Sequence, residues 1–132
     1  MADPETPTGF ESGFVPGRHI IDTYGNGGFR FAGMSHRGSI LLLPSGVRAW
    51  AVTESRQIDR TALRPVQAEA AEIELLLVGT GLDIAVIDPG LRGWLKDFGV
   101  GLDVMQTGAA ARTYNILVAE NRKVAAALIA VA

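Results

Sequence analysis

The sequence contains no cysteine, which excludes disulfides, thiolate metal sites and a thiol nucleophile. It also lacks an excess of positive charge. Its 12 basic and 14 acidic residues give a formal net charge of −2, which provides no electrostatic drive toward nucleic acid. The two histidines, His19 and His36, stand alone in the sequence without a recognisable ligand cluster. We therefore expect no metal, no other cofactor and no nucleic-acid partner.

Long hydrophobic runs are also absent. The longest one, residues 124–132, is about half of the ~20 residues that a helix needs to span a bilayer. The N-terminus has Asp3 and Glu5 where a signal peptide has cations, and prolines where it has an apolar stretch. We therefore expect a cytoplasmic protein that does not span a membrane.

What the chain does have is enough apolar sequence for one folded domain. With 132 residues, of which 48% are hydrophobic, it can bury roughly 68–70% of its unfolded surface. Residues 1–17 are rich in proline and glycine and are predicted to form a flexible N-terminal tail. The alternative is an arm whose aromatic residues, Phe10 and Phe14, dock on the domain or on a neighbouring subunit. Residues 18–132 are predicted to form a single α/β domain.

The N-terminal half has the pattern of paired strands. Residues 19–24 and 29–31 flank the glycine-rich turn Gly25-Asn26-Gly27-Gly28, which predicts a hairpin. Residues 39–43 and 47–52 flank Pro44-Ser45-Gly46, which predicts a second β pair.

The C-terminal half alternates between strand and helix patterns. A short helix containing Pro65 is predicted before a buried strand at residues 73–78. Asp88 as cap and Pro89 at the first helical position predict a helix that ends at Gly99, and a strand follows at residues 101–105. Thr107 is predicted to cap a second helix, which runs to about residue 119. Residues 124–131 favour a buried closing strand, with helix as the alternative.

This order predicts a mixed sheet covered by helices, with an N-terminal β-hairpin and a C-terminal βαβα unit. The right-handed crossover between the strands at 73–78 and 101–105 makes them parallel and puts the turns that follow them at one edge of the sheet. Two turns there are candidate binding elements. They comprise Gly79, Thr80 and Gly81 after the first strand, and Thr107 with Arg112 at the start of the second helix.

Both turns have a functional and a structural interpretation. Backbone N–H groups of a glycine turn and of a helix N-terminus can bind an anion, and Arg112 could add a cation. The glycine turn, however, matches neither the dinucleotide pattern, since position 84 is Ile84, nor the Walker pattern. Alternatively, Gly79, Thr80 and Gly81 form only a turn, Thr107 only caps its helix, and Arg112 is solvated.

Three polar residues of the last helix are assigned structural roles. Tyr114 shares a stripe with Leu117 and Val118 and is predicted to lie in the core, where its hydroxyl needs a partner. Asn115 is predicted to hydrogen-bond a neighbouring loop. Glu120 is predicted to form a charge pair with Arg122 or Lys123 at the helix end. No serine nucleophile motif surrounds Ser39, and no catalytic residue is identified.

Taken together, these residues resemble a small domain-of-unknown-function family of bacteria and archaea that includes mitochondrial NADH dehydrogenase (complex I) assembly factor 3. The resemblance rests on the stretches Gly38-Ser39-Ile40-Leu41-Leu42-Leu43-Pro44, Gly79-Thr80-Gly81, Val104-Met105-Gln106-Thr107 and Thr113-Tyr114-Asn115-Ile116-Leu117, and on Trp50, Ala110, Glu120 and Arg122. It covers the chain from about residue 20 to residue 132.

The resemblance implies a single three-layer α/β domain with a central mixed sheet. It also implies a non-enzymatic accessory or protein-interaction domain, linked to the assembly of respiratory or other membrane complexes, whose partners are other proteins. It supplies no catalytic residues. The alternative is a small-molecule or anion-binding domain, an enzyme among the options, that uses the crevice formed by Gly79, Thr80, Gly81, Thr107 and Arg112. The sequence does not set the oligomeric state.

Overall fold

The computed structural model describes residues 13–132, which form nine strands and three α-helices. Two short 3-10 turns, Ser55–Gln57 and Ala70–Glu72, lie in the connections. The strands are β1 (Phe14–Pro16), β2 (Thr23–Gly25), β3 (Gly28–Phe31), β4 (Met34–Arg37), β5 (Ser39–Leu42), β6 (Gly46–Trp50), β7 (Leu75–Gly79), β8 (Gly101–Met105) and β9 (Val124–Leu128). The helices are α1 (Arg64–Ala68), α2 (Gly90–Lys96) and α3 (Thr107–Ala119).

Six of these strands form a mixed sheet in the order β1-β6-β5-β9-β7-β8, and β2, β3 and β4 form a separate antiparallel sheet. In the large sheet β7 is parallel to both β8 and β9, whereas β5 is antiparallel to β9 and β6. The predicted fold class is therefore confirmed, including the βαβ crossover through α2. The apolar run after α3 is a strand, β9, which lies at the centre of the sheet.

Side chains of the central strands alternate between two apolar cores, one on each face of the large sheet. In β7, Leu76 and Val78 face one core, and Leu77 faces the other. The first core is covered by α1 and α2 through Val66, Leu91 and Leu95, and the second by α3 and the small sheet. These are the three layers that the resemblance implied. All five residues of β9 are buried. Ala126 faces the core under α3, whereas Ala125 and Ala127 face the core under α1 and α2.

The ends of α2 and α3 follow from local sequence. Asp88 Oδ1 accepts a hydrogen bond from Gly90 N at 2.9 Å, but Pro89 is the N-cap and Gly90 the first helical residue, so α2 begins one residue later than predicted. Gly99 turns the chain away after α2 with a φ of 81°. At the end of α3, Asn121 adopts a φ of 61°, its N–H donates to Val118 O, and Arg122 N–H donates to Leu117 O. These two bonds form a Schellman motif, in which asparagine takes the left-handed position that glycine usually occupies.

The first hairpin is present, although its first strand is shorter than predicted. Asn26 and Gly27 make its turn with φ angles of 52° and 81°, the left-handed conformation that two-residue hairpin turns require. Gly27 N–H donates to Val131 O at 2.7 Å, so the hairpin tip is tied to the end of the chain. The sequence analysis did not predict β4, which adds a third strand to this hairpin.

The N-terminal boundary needs a correction. Residues 14–16 were assigned to the flexible tail, but they form β1, which pairs with β6 through Val15 opposite Val47. The Arg48 guanidinium lies over the Phe14 ring at 5.3 Å, so Phe14 docks on the domain as the alternative described. Residues 1–12, including Phe10, lie outside the described residues. The division of the chain into a tail and one domain otherwise stays a prediction.

Candidate functional site

Thr107 joins the two turns at the carboxyl edge of the parallel strands. Its hydroxyl donates to Ile129 O at 2.7 Å and accepts a hydrogen bond from Gly81 N at 3.0 Å, and its own N–H donates to Gly81 O at 2.9 Å. The side chain is completely buried. The predicted N-cap role is therefore wrong, since Gln106 occupies the N-cap position and Thr107 is the first helical residue. The hydroxyl instead forms hydrogen bonds with backbone groups of two other segments. We call this set of hydrogen bonds the Thr107 junction.

Gly79 allows this close contact. A Cβ at this position would lie 2.8 Å from Thr107 Cα and 3.0 Å from Thr107 Oγ1. The structure thus brings Gly79, Gly81 and Thr107 together, with the Gly81 N–H already committed to Thr107. Arg112 lies apart from them, beside a cavity of about 350 Å³ that is also lined by Tyr24 and Asn115. Ligand binding by Gly79, Thr80, Gly81, Thr107 and Arg112 stays a prediction.

Thr80, the middle residue of the glycine turn, organises the chain that follows it. Its hydroxyl donates to Asp83 O at 2.8 Å and accepts a hydrogen bond from Ala85 N at 3.0 Å. At the far end, Ile87 packs against the core beside α2. Residues 82–86 are therefore fixed at both ends, although they belong to no helix or strand.

This stretch, which we call the apolar segment, presents three large hydrophobic side chains to solvent. Leu82 is 70% exposed, Ile84 66% and Val86 92%. Asp83, between Leu82 and Ile84, is also exposed, so this part of the chain lies at the surface. Single exposed apolar residues are common, but three in one buttressed segment are typical of a surface that another protein covers.

The apolar segment is not among the elements that the sequence motifs predict. Its signal is the connection between Gly81 and Asp88, which is longer than most strand-to-helix loops and carries apolar residues where such loops are usually polar.

The polar residues of α3 have different surroundings. Asn115 fixes the segment before β2, since its Oδ1 accepts from Ile21 N at 2.9 Å and its Nδ2 donates to Ile21 O at 2.8 Å. Glu120 is exposed. The one ion pair within residues 13–132 joins Arg56 to Glu54, so Glu120 pairs with neither Arg122 nor Lys123. The predicted charge pair is wrong, and the Schellman motif ends the helix without it.

Tyr114 is fully buried in the core between α3 and the small sheet, and the Arg18 guanidinium lies near its hydroxyl. Burial raises the pKa of Tyr114 to about 12, an effect that the nearby Arg18 guanidinium partly opposes. The buried phenol therefore stays protonated well above the pH at which an exposed tyrosine ionises.

Tyr114 should make stability depend on pH in the alkaline range. Below pH 10 the phenol is protonated in both the folded and the unfolded protein, so Tyr114 does not make the free energy of unfolding depend on pH. Between pH 10 and about 12 the unfolded chain ionises first. We expect the free energy of unfolding to fall there by up to roughly 2–3 kcal/mol, at about 1.4 kcal/mol per pH unit. Urea denaturation at pH 9 and pH 11.5 measures this fall, which Tyr114→Phe should reduce. An equal fall in both proteins would contradict the assignment.

The fold and this surface define the class: a three-layer α/β domain with a mixed sheet, a small antiparallel sheet and an exposed apolar segment at the carboxyl edge. None of the helices in residues 13–132 combines the length and apolar character that crossing a membrane requires. The family follows from a sequence match over residues 21–129. The chain belongs to the family described as "protein of unknown function (DUF498/DUF598)".

Individual relatives agree with this membership. The chain is 43% identical to an uncharacterised protein of Rhodobacter capsulatus over 119 residues, 90% of each chain. It is 34% identical over 110 residues to NADH dehydrogenase [ubiquinone] 1 alpha subcomplex assembly factor 3 of Xenopus tropicalis, covering 83% of this chain and 60% of that one. The crystal structure of an outer membrane protein from Bartonella henselae matches with a TM-score of 0.84 and 48% identity, covering 89% of this chain and 98% of that one.

Proposed function

We propose that this protein is a non-enzymatic accessory protein that binds other proteins through the apolar segment during assembly of a respiratory or other membrane complex. The observation that carries the proposal is the exposure of Leu82, Ile84 and Val86 on a backbone that Thr80 holds in place. The related assembly factor supports the link to complex assembly. The proposed location is the cytoplasm.

A fixed apolar segment suits protein binding for a physical reason. Association requires loss of conformational freedom at the interface, and a preorganised segment loses less than a flexible loop does. Its three side chains can enter apolar pockets of a partner, where buried hydrophobic anchors supply most of the binding energy. Asp83 and Asp88 flank them with polar groups that can form a rim.

The proposal predicts that charge in the apolar segment removes partner binding without unfolding the protein. Tagged wild-type protein should enrich subunits of a respiratory complex, or components that insert them, from a detergent extract of host membranes. The I84D/V86D variant should recover at least about tenfold less of them, because two carboxylates would be buried without partners. Quantitative mass spectrometry of the eluates measures the ratio.

Ile116→Asp is the matched control, since Ile116 is 58% exposed but lies on α3 outside the apolar segment. It should leave the enrichment unchanged, and all three proteins should unfold at similar temperatures. If the wild type enriches no respiratory or membrane-insertion component, or if the control loses as much as I84D/V86D, the proposal is wrong.

The anion-binding alternative remains a second hypothesis. Favouring it are the helix N-terminus at Thr107 and the cation Arg112 on the same helix. Against it, the Thr107 junction uses the Gly81 N–H and both hydrogen-bonding functions of the Thr107 hydroxyl. The described lining of the cavity beside Arg112 also contains neither Gly81 nor Thr107. A thermal-shift panel of nucleotides, phosphates and carboxylates, repeated with Arg112→Ala, tests it.

A further inference from the structure

The small sheet carries a cationic cavity that the proposed function does not use. A depression of about 430 Å³ lies against β2, β3 and β4, within the size range of small-molecule sites. Its lining includes Arg30 and Arg37, and no acidic residue of the described part of the chain, residues 13–132, contributes to it. In a chain whose net charge is −2, this is a local concentration of positive charge.

Strand register places the two arginines on one face. Arg30 lies opposite Ser35, and Arg37 lies opposite Gly28, so the arginines are diagonal neighbours on adjacent antiparallel strands. Diagonal side chains on one face lie about 7–8 Å apart at their backbones, within reach of each other for residues as long as arginine. Their like charges repel unless an anion lies between them.

Neighbouring residues hold the two arginines in this arrangement and leave space beside them. Arg30 Nη1 donates to Ser35 Oγ at 2.6 Å, which orients the guanidinium along the sheet. Gly25 and Gly28 occupy the positions across the sheet from Arg37, so no side chain fills the face there. Neither arginine has a carboxylate partner within residues 13–132.

The imidazole of His36, which also lines the cavity, adds little positive charge. Burial lowers the pKa of His36 below its ordinary value, so the imidazole is mainly neutral at pH 7. The positive charge at neutral pH therefore comes from the guanidinium groups. Two guanidiniums with the hydroxyls of Thr23 and Ser35 match the oxygen atoms of a doubly charged phosphate better than those of a single carboxylate.

We propose that the cavity over β2, β3 and β4 binds a phosphate group carried by a small molecule or a lipid headgroup, held between Arg30 and Arg37. The site is separate from the apolar segment and from the Thr107 junction. It does not depend on the proposed protein-binding function.

Nuclear magnetic resonance titration tests the site directly. Inorganic phosphate and glycerol 3-phosphate are added to the ¹⁵N-labelled protein at constant ionic strength, with chloride as the reference salt. Saturable shifts are expected in the amide signals of residues 23–30 and 35–37. The R30Q/R37Q variant should bind at least about tenfold more weakly, since charge-assisted hydrogen bonds are lost. Arg122→Gln, which removes an exposed arginine elsewhere, should bind like the wild type.

Co-sedimentation with vesicles distinguishes the two sources of phosphate. Vesicles of phosphatidylcholine with 10% phosphatidic acid are compared with vesicles of phosphatidylcholine alone. Arginine-dependent binding to soluble phosphates alone supports a small-molecule ligand, and arginine-dependent binding to phosphatidic acid vesicles supports a headgroup. No saturable binding in either assay, or binding that survives in R30Q/R37Q, overturns the proposal.

Discussion

Replacing Thr107 by valine is expected to destabilise the protein by about 2–5 kcal/mol. Valine keeps the shape of the side chain but removes the hydroxyl that donates to Ile129 O and accepts from Gly81 N. Because the position is fully buried, water cannot replace either bond, and each orphaned backbone group costs roughly 1–3 kcal/mol. Urea denaturation of the two proteins at pH 7 measures the difference in the free energy of unfolding.

Thr113→Val is the matched control. Thr113 lies on the same helix, but its hydroxyl contacts only the Met105 sulfur at 3.9 Å and is partly buried, so the change should cost less than about 1 kcal/mol. Equal costs at Thr107 and Thr113 would show that the Thr107 hydroxyl does not hold the two turns together.

Gly79→Ala is expected to destabilise the protein by about 2–3 kcal/mol through overpacking. The added methyl group would lie 2.8 Å from Thr107 Cα, and backbone of α3 cannot move away as a flexible side chain could. It would also lie 3.1 Å from Leu128 Cδ2, a side-chain atom that would have to shift by a few tenths of an ångström. Thermal and urea denaturation both measure the loss.

Gly93→Ala is a control that is expected to change stability in the opposite direction. Gly93 lies in α2, and nothing lies within 4 Å of the Cβ that alanine would add. Alanine is the better helix former, so this change should stabilise the protein by roughly 0.5–1 kcal/mol. A neutral or stabilising Gly79→Ala would contradict the close packing of β7 against the start of α3.

Most of the fold could be predicted because its signals are local. The strand β7 is a continuous apolar run, α2 begins after Asp88-Pro89, and the first hairpin turns at Asn26 and Gly27. By contrast, β4 has the sequence Met-Ser-His-Arg, which shows no strand pattern. It becomes a strand by pairing with β3, and such pairing depends on a neighbour rather than on propensity.

The site was harder to predict, for a different reason. A threonine at a helix start has the same local pattern whether it caps the helix or bonds a distant segment. The partner of Thr107, Ile129, lies 22 residues away and becomes visible only in three dimensions. The apolar segment was missed because Leu82, Ile84 and Val86 alone do not show whether they are buried. Their exposure depends on how Thr80 directs the backbone.

The proposed function is tested most directly by photo-crosslinking from the apolar segment in living cells. A benzoylphenylalanine residue is placed at Val86, which is 92% exposed, and in a second strain at Ile116 as the control. After irradiation, the Val86 position should crosslink to a subunit of a respiratory membrane complex or to a component that inserts one, and the Ile116 position should not. No crosslink from Val86, or the same products from both positions, would contradict the assignment of the apolar segment as the partner-binding surface.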